Sequence, residues 1–259
     1  MDICYFPGCT LKTEAKELDV CARKVAEKLG VNMVEIENWQ CCGAEYATAR
    51  DEIANKLSSV RALDYAKHHG GKLLTLCSAC HNVIKRVNDD AKNDQHFALR
   101  SNSYLGLEEE YHGEAEVVHY VEMLINDVGL DKIKAAVVNP LGKKVGAYYG
   151  CLLLRPSSVM QFDNAENPTV MESIITALGG EAVKFSRRNE CCGAYVGMKS
   201  DALAQNSSDK IVNSALSAGA EEIVTACPLC YYNLKKRCGD KIKVRYLTEL
   251  MAEALGVNE

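Results

Sequence analysis

The runs Gln40-Cys41-Cys42-Gly43-Ala44 and Glu190-Cys191-Cys192-Gly193-Ala194 place two adjacent thiols before a glycine twice in one chain. In the first half Cys9 is followed after 31 residues by Cys41-Cys42, and after 34 more by Cys77-Ser78-Ala79-Cys80. In the second half Cys151 is followed after 39 residues by Cys191-Cys192, and after 34 more by Cys227-Pro228-Leu229-Cys230. Five thiols per set exceed the four that a tetrahedral zinc ion or an ordinary cubane iron–sulfur cluster takes. Side chains of consecutive residues diverge, so they reach two metal atoms more easily than one, and Gly43 and Gly193 let the backbone fold closely around them. A multi-iron cluster with an enlarged or split core suits such a set better than a single ion. A thioredoxin-like redox pair needs two cysteines, not ten. Cys4, Cys21 and Cys238 have no counterpart in the other half and read as small buried hydrophobes.

The repeated 34-residue gap indicates a duplicated domain. Its flanks agree: Tyr5-Phe6-Pro7-Gly8-Cys9 matches Ala147-Tyr148-Tyr149-Gly150-Cys151, and a closing segment from Val118 to Leu124 pairs with one from Val244 to Leu250. In that pairing His119 stands opposite Arg245. The first half carries extra residues around 88–114, polar and mixed, expected to pack on a partner or on the other half. Pro/Gly punctuation at Asn139-Pro140-Leu141-Gly142 sets a boundary, giving domains 1–140 and 141–259.

Short apolar runs at Ile3–Phe6, Met33–Ile36, Leu73–Leu76, Val145–Tyr149, Ala182–Phe185 and Ile223–Thr225 predict buried strands. Leu18-Cys21-Val25-Leu29, Ile53-Leu57-Val60-Leu63 and Ile211-Ala215-Ala218 recur at helical spacing. The fold class expected is α/β: two pseudo-symmetric domains, each a small, mostly parallel sheet flanked by helices. Cys9, Cys77, Cys151 and Cys227 then fall just past strand ends, where the loops of an open α/β sheet converge on ligands.

Composition narrows the function classes. The chain of 259 residues is 47% hydrophobic and 25% charged, ordinary for a globular protein, and its net charge of −5 offers no broad basic footprint for nucleic acid or anionic lipid. No run approaches the ~18 apolar residues of a membrane span, and the N-terminus lacks the pattern of a secretory signal. A cytoplasmic protein is expected. Thirteen cysteines in a reducing compartment point to metal or redox chemistry, not to a disulfide framework.

The pattern Cys…Cys-Cys-Gly…Cys-x-x-Cys, present twice from Tyr5 to about Leu255, resembles the CCG-domain family, and the complete set in both halves is similar to the catalytic B subunit of heterodisulfide reductase. The resemblance implies that Cys9, Cys41, Cys42, Cys77 and Cys80 hold one noncubane [4Fe-4S] cluster, and Cys151, Cys191, Cys192, Cys227 and Cys230 a second. It implies a catalytic role in methanogenesis-type metabolism, with the small-molecule disulfide of coenzyme M and coenzyme B cleaved between the clusters, one electron from each. Expected partners are a ferredoxin-like C subunit plus a flavoprotein A subunit, with a hydrogenase or formate dehydrogenase upstream. The chain itself shows no nucleotide fingerprint and no further four-cysteine relay motif.

Anionic substrate tails would call for cations, and Arg155, Arg187, Arg188 and Lys199, with Lys12 and Arg50, lie near the motifs in sequence. His81 and Tyr195 are candidate proton donors. Two rival readings stand beside this one. The first is a CCG electron-transfer subunit of a quinone-linked or sulfur-metabolism dehydrogenase; the second is a structural protein holding zinc.

Overall fold

The computed structural model describes residues 1–44 and 53–257, so the candidate cation Arg50 lies outside the described residues. The first half runs β1 (Asp2–Phe6), α1 (Gly8–Lys12), α2 (Lys16–Lys28), β2 (Asn32–Glu35), α3 (Leu57–His68), β3 (Lys72–Thr75), α4 (Ser78–Asn93), α5 (Gln95–Leu105), β4 (Glu116–His119), α6 (Tyr120–Met123) and α7 (Leu130–Ala135). The second runs β5 (Lys144–Tyr148), α8 (Ser157–Met160), α9 (Val170–Ala177), β6 (Glu181–Val183), α10 (Ala194–Gly197), α11 (Asp201–Ser217), β7 (Glu222–Thr225), α12 (Pro228–Cys238), β8 (Lys243–Tyr246) and α13 (Leu247–Leu255).

Each half forms a four-stranded sheet, ordered β2-β1-β3-β4 and β6-β5-β7-β8. Among the described residues every pairing is parallel, as the expected architecture requires. Parallel strands covered by helices on both faces read as continuous apolar runs, as β7 does with all four residues buried. Helix α2 buries Leu18, Cys21, Ala22, Val25 and Ala26 as one stripe.

Sequence reading did not identify β4 and β8. Both lie inside the closing segments, where a four-residue strand runs straight into a helix. The register also corrects the pairing of those segments. Thr75 of β3 pairs with His119, whereas Thr225 of β7 pairs with Tyr246. His119 and Tyr246 each cap the following helix in a capping box, closed by Glu122 and Glu249 respectively. The true equivalent of His119 is therefore Tyr246 and not Arg245, a one-residue shift that apolar similarity conceals because valine and leucine recur on both sides of it.

The extra segment of the first half packs on its own half and not on the other. Residues 88–93 extend α4, and α5 lies against α3 and α4. Phe97 and Tyr111 are buried, the Tyr111 hydroxyl bonds to Asn88, and Lys56 Nζ sits 5.1 Å over the Phe97 ring while pairing with Asp90 at 2.8 Å. A few apolar anchors hold this polar segment against α3 and α4. The halves themselves join through α2 against α13, α4 against α8 and α7 against α9.

Candidate metal centre

The cysteines take their places from the ends of the strands. Cys9 and Cys151 lie three residues past β1 and β5, and Cys77 and Cys227 two residues past β3 and β7. Cys77 and Cys227 are the N-cap residues of α4 and α12, so each Cys-x-x-Cys pair occupies a helix N-terminus, where free N–H groups and the helix dipole favour thiolate charge. Proline at the first position of α12 costs nothing there, since that N–H has no partner within the helix.

The Cys-Cys-Gly-Ala loops turn their backbone toward the sulfurs. Gly193 N–H donates to Cys191 Sγ at 3.4 Å, Ala194 N–H reaches Cys192, and in the first half Gly43 and Ala44 do the same for Cys41 and Cys42. Such N–H···S bonds tune cluster potentials. The carbonyls of these loops are held from outside: Ser58 donates to Cys41 O at 2.8 Å, and Asn233 donates to Cys192 O at 2.8 Å with Ser208 at 3.3 Å. Sequence reasoning missed these three residues, because nothing but their position in space marks them.

The ten thiols form one track. Cys9 touches Cys41, then come Cys42, Cys80, Cys77, Cys227, Cys230, Cys192, Cys191 and Cys151, each close enough to shift the titration of the next. The Cys9–Cys41 sulfurs are 3.6 Å apart and the Cys42–Cys80 sulfurs 3.3 Å. The order is a palindrome under the duplication, and the halves meet at Cys77 and Cys227. Among the described residues no three His, Cys, Asp or Glu side chains close around one point, so the donors line a strip.

Thiols this close compete for negative charge. Hydrogen bonds from Cys41 and Cys80 hold Cys42 down to about 4, those from Cys151 and Cys192 hold Cys191 down to about 2, and Cys227 and Cys80 lower Cys77. The other seven are pushed up, Cys192 to about 12 by its bond to Cys191. Ten thiolates cannot share this strip without cations among them. The donor set therefore fits an iron–sulfur group in each half: soft sulfur ligands, more than four per half, strung along several atomic diameters beneath helix N-termini. Cys191 is the exposed member of the track.

The junction below the track is closed by side chains that sequence reading did not assign. Tyr246 donates to Leu76 O at 2.6 Å and lies 3.1 Å from Ala226 O, and Ser78 Oγ donates to Ala226 O at 2.9 Å. Leu76 and Ala226 directly precede Cys77 and Cys227. His119 Nε2 lies 3.4 Å from Ser78 Oγ.

The remaining candidates scatter. His81 is fully buried, with Nδ1 3.0 Å from Thr75 Oγ1 and its ring edge-on to His119, and burial drives its pKa well down, so it is neutral at pH 7. Arg188 is buried, its guanidinium held by Glu172 at 3.3 Å, Asn167 and the Phe185 and Pro168 carbonyls. Arg155 pairs with Glu166 at 2.9 Å, Arg187 with Glu190 at 2.6 Å and Lys12 with Glu35 at 2.6 Å. Lys199 is exposed and Tyr195 half-buried. Cys4 donates to His69 O at 3.0 Å, and Cys21 and Cys238 are buried in their own half's helices.

Fold and site together define a duplicated α/β protein with a five-thiol set in each half. The chain belongs to the cysteine-rich CCG domain family, which matches residues 3–85 and 145–235. It is 32% identical to the 8-methylmenaquinol:fumarate reductase membrane anchor subunit of Wolinella succinogenes, over 99% of this chain and 93% of that one. It is 28% identical to the B subunit of the ferredoxin/F420H2-dependent CoB-CoM heterodisulfide reductase of Methanosarcina acetivorans, over 97% of this chain and 88% of that one, so the resemblance to that subunit extends over nearly the whole length. A hypothetical protein from Helicobacter pylori superposes with a TM-score of 0.70 at 15% identity, covering all of this chain and 49% of the other. This chain thus spans about half the length of that protein, and the likeness is one of fold. Among the described residues no helix is long and apolar enough to cross a membrane.

Proposed function

We propose that this chain is the catalytic subunit of a heterodisulfide reductase-type oxidoreductase complex, in which a small disulfide is reduced between two noncubane [4Fe-4S] clusters. The observation that carries this reading is the thiol track running unbroken across the pseudo-two-fold junction, with all five thiols present on each side. The CCG membership and the heterodisulfide reductase relatives support it. Domains 1–140 and 141–259 each contribute one set: Cys9, Cys41, Cys42, Cys77 and Cys80, and Cys151, Cys191, Cys192, Cys227 and Cys230.

Bound there, the clusters supply one-electron carriers, two of which balance RS–SR′ + 2e⁻ + 2H⁺ → RSH + R′SH. The residues do the rest. The N-termini of α4 and α12 lend positive ends to the same point, so added negative charge is stabilised from both sides. Tyr246 and Ser78 fix the junction by tying the carbonyls ahead of Cys77 and Cys227. Arg155, Arg187 and Lys199 are proposed to meet anionic substrate tails, the first two exchanging Glu166 and Glu190 for them. Protons come from water at the exposed Cys191 edge, with Tyr195 as a nearer donor, while buried, neutral His81 is left out of that role. Electrons are proposed to arrive through a ferredoxin-like C subunit plus a flavoprotein A subunit, in the cytoplasm, fed by a hydrogenase or formate dehydrogenase.

A second reading, an electron-transfer subunit of a quinone-linked complex, is favoured by the Wolinella relative. Anaerobically purified protein, reduced viologen and either a coenzyme M–coenzyme B type disulfide or a soluble menaquinone analogue separate the two. Disulfide-dependent oxidation with about eight iron and eight acid-labile sulfide per chain supports the first. Quinone-only turnover supports the second, and about one zinc per half without visible absorption would end both. In the same assay Cys192→Ser abolishes disulfide turnover while the N-terminal cluster's spectrum persists.

A further inference from the structure

We propose that each half's leading cysteine loop is held in place by the opposite half, with Asn82 positioning the loop of Cys151 and Tyr232 the loop of Cys9. Asn82 stands two residues past Cys80 in α4, yet its side chain leaves its own half. Its Nδ2 donates to Leu152 O at 2.8 Å and to Arg155 O at 2.6 Å. Those carbonyls flank the turn that Cys151 opens, in which Leu154 N and Arg155 N donate to Cys151 O at 3.2 and 3.0 Å. Asn82 is 3% exposed, so water does not compete for the bonds.

Tyr232 occupies the same place in the other half, two residues past Cys230 in α12. Its hydroxyl lies 2.8 Å from Glu14 O and 2.5 Å from Glu17 Oε1. That contact falls on the turn after Cys9, where Thr13 Oγ1 donates to Cys9 O at 3.0 Å and Ala15 N to Thr10 O at 2.9 Å. The exchange is pseudo-symmetric, although the two side chains share no chemistry beyond a hydrogen-bond donor. Neither five-thiol set is complete in geometry without the other half, so the spacing of the two sets is built into the clamps. Two one-electron deliveries to a single S–S bond require such a fixed spacing, and this consequence rests on the function proposed above.

The test is a crossed footprint on anaerobic holoprotein, using Asn82→Leu, Tyr232→Phe, iodoacetamide and mass spectrometry of each cysteine. Leucine removes both donors at similar volume and releases the two part-buried carbonyls of the turn, so alkylation of Cys151 and its four companions rises about tenfold while Cys9 and its companions stay protected. Half of the visible absorption is lost with it. Tyr232→Phe gives the reverse pattern at roughly threefold, because water partly replaces a half-buried hydroxyl. Exposure of the variant's own half, equal exposure of both halves, or no change in either overturns the proposal. Should Asn82→Leu not fold, the Tyr232→Phe arm decides alone, with Cys9 faster and Cys151 unchanged as the supporting result. If iron analysis refutes the clusters, the same Cys9 to Cys151 rate comparison on the metal-free chain still decides the clamps.

Discussion

Two glycines separate backbone strain from direct pressure on the thiol track. Gly8 and Gly150 precede Cys9 and Cys151 with φ of +74° and +67°, a region that L side chains rarely adopt. A Cβ on Gly8 would stand 2.8 Å from Cys80 Sγ, and one on Gly150 would stand 3.1 Å from Cys230 Sγ. Gly106, at the end of α5, has φ of +58° and nothing within 4 Å of its Cβ position. Alanine at Gly106 carries the left-handed penalty alone, about 1 kcal/mol. Gly150→Ala adds a contact that a few tenths of an ångström of movement relieves, bringing it to about 2 kcal/mol. Gly8→Ala must displace the buried Cys80 sulfur, for about 2–4 kcal/mol in all. The assay is urea unfolding of the three metal-free variants beside iron content and visible absorption of the loaded ones. The expected order of stability loss is Gly8, Gly150, Gly106, and iron loss is confined to the first two, greater for Gly8→Ala. Full iron retention in Gly8→Ala, or a Gly106→Ala cost equal to that of Gly8→Ala, would refute the claim that the glycine makes room for Cys80.

Arg188→Met strands the buried Glu172 carboxylate and costs about 3–5 kcal/mol in chemical denaturation, which Glu172→Gln in the same chain partly restores; a change in disulfide KM without a stability loss would instead return Arg188 to the substrate. Tyr246→Phe removes the donor shared by Leu76 O and Ala226 O and lowers stability by about 1–3 kcal/mol, measured by the same unfolding curve. Burial depresses His119 to about 3, so its contribution is complete above the free-imidazole value and is lost as pH falls below it. At pH 5 the loss from His119 is about 2 kcal/mol. His81 shifts in the same direction, so His119→Gln should remove part and not all of the decline in unfolding free energy between pH 6.5 and 5, and an unchanged slope would count against it.

Much of this protein was legible in its sequence, for reasons local to the chain. Ligand chemistry constrains Cys41-Cys42-Gly43 and Cys77-x-x-Cys80 over a few residues, and the second copy exposes the duplication. Buried parallel strands announce themselves as apolar runs, so six of the eight strands among the described residues were placed. Similarity along the chain misaligned the closing segments by one residue, because a shift of one between valines leaves hydrophobicity unchanged while it reverses which side chain faces the junction. It also set Arg188 among the surface cations, since a positive charge near a motif carries no sign of the buried Glu172 that neutralises it.

The sequence by itself determined the two repeated five-cysteine sets and the α/β layers that carry them, all of which follow from residue type and short-range period. Only the tertiary structure decided that Cys77 meets Cys227, that Tyr246 and Ser78 close the junction, and that Asn82 and Tyr232 reach across it. Those contacts join residues up to 218 positions apart, and no local period encodes them. They arise where two separately twisted sheets come to rest against each other.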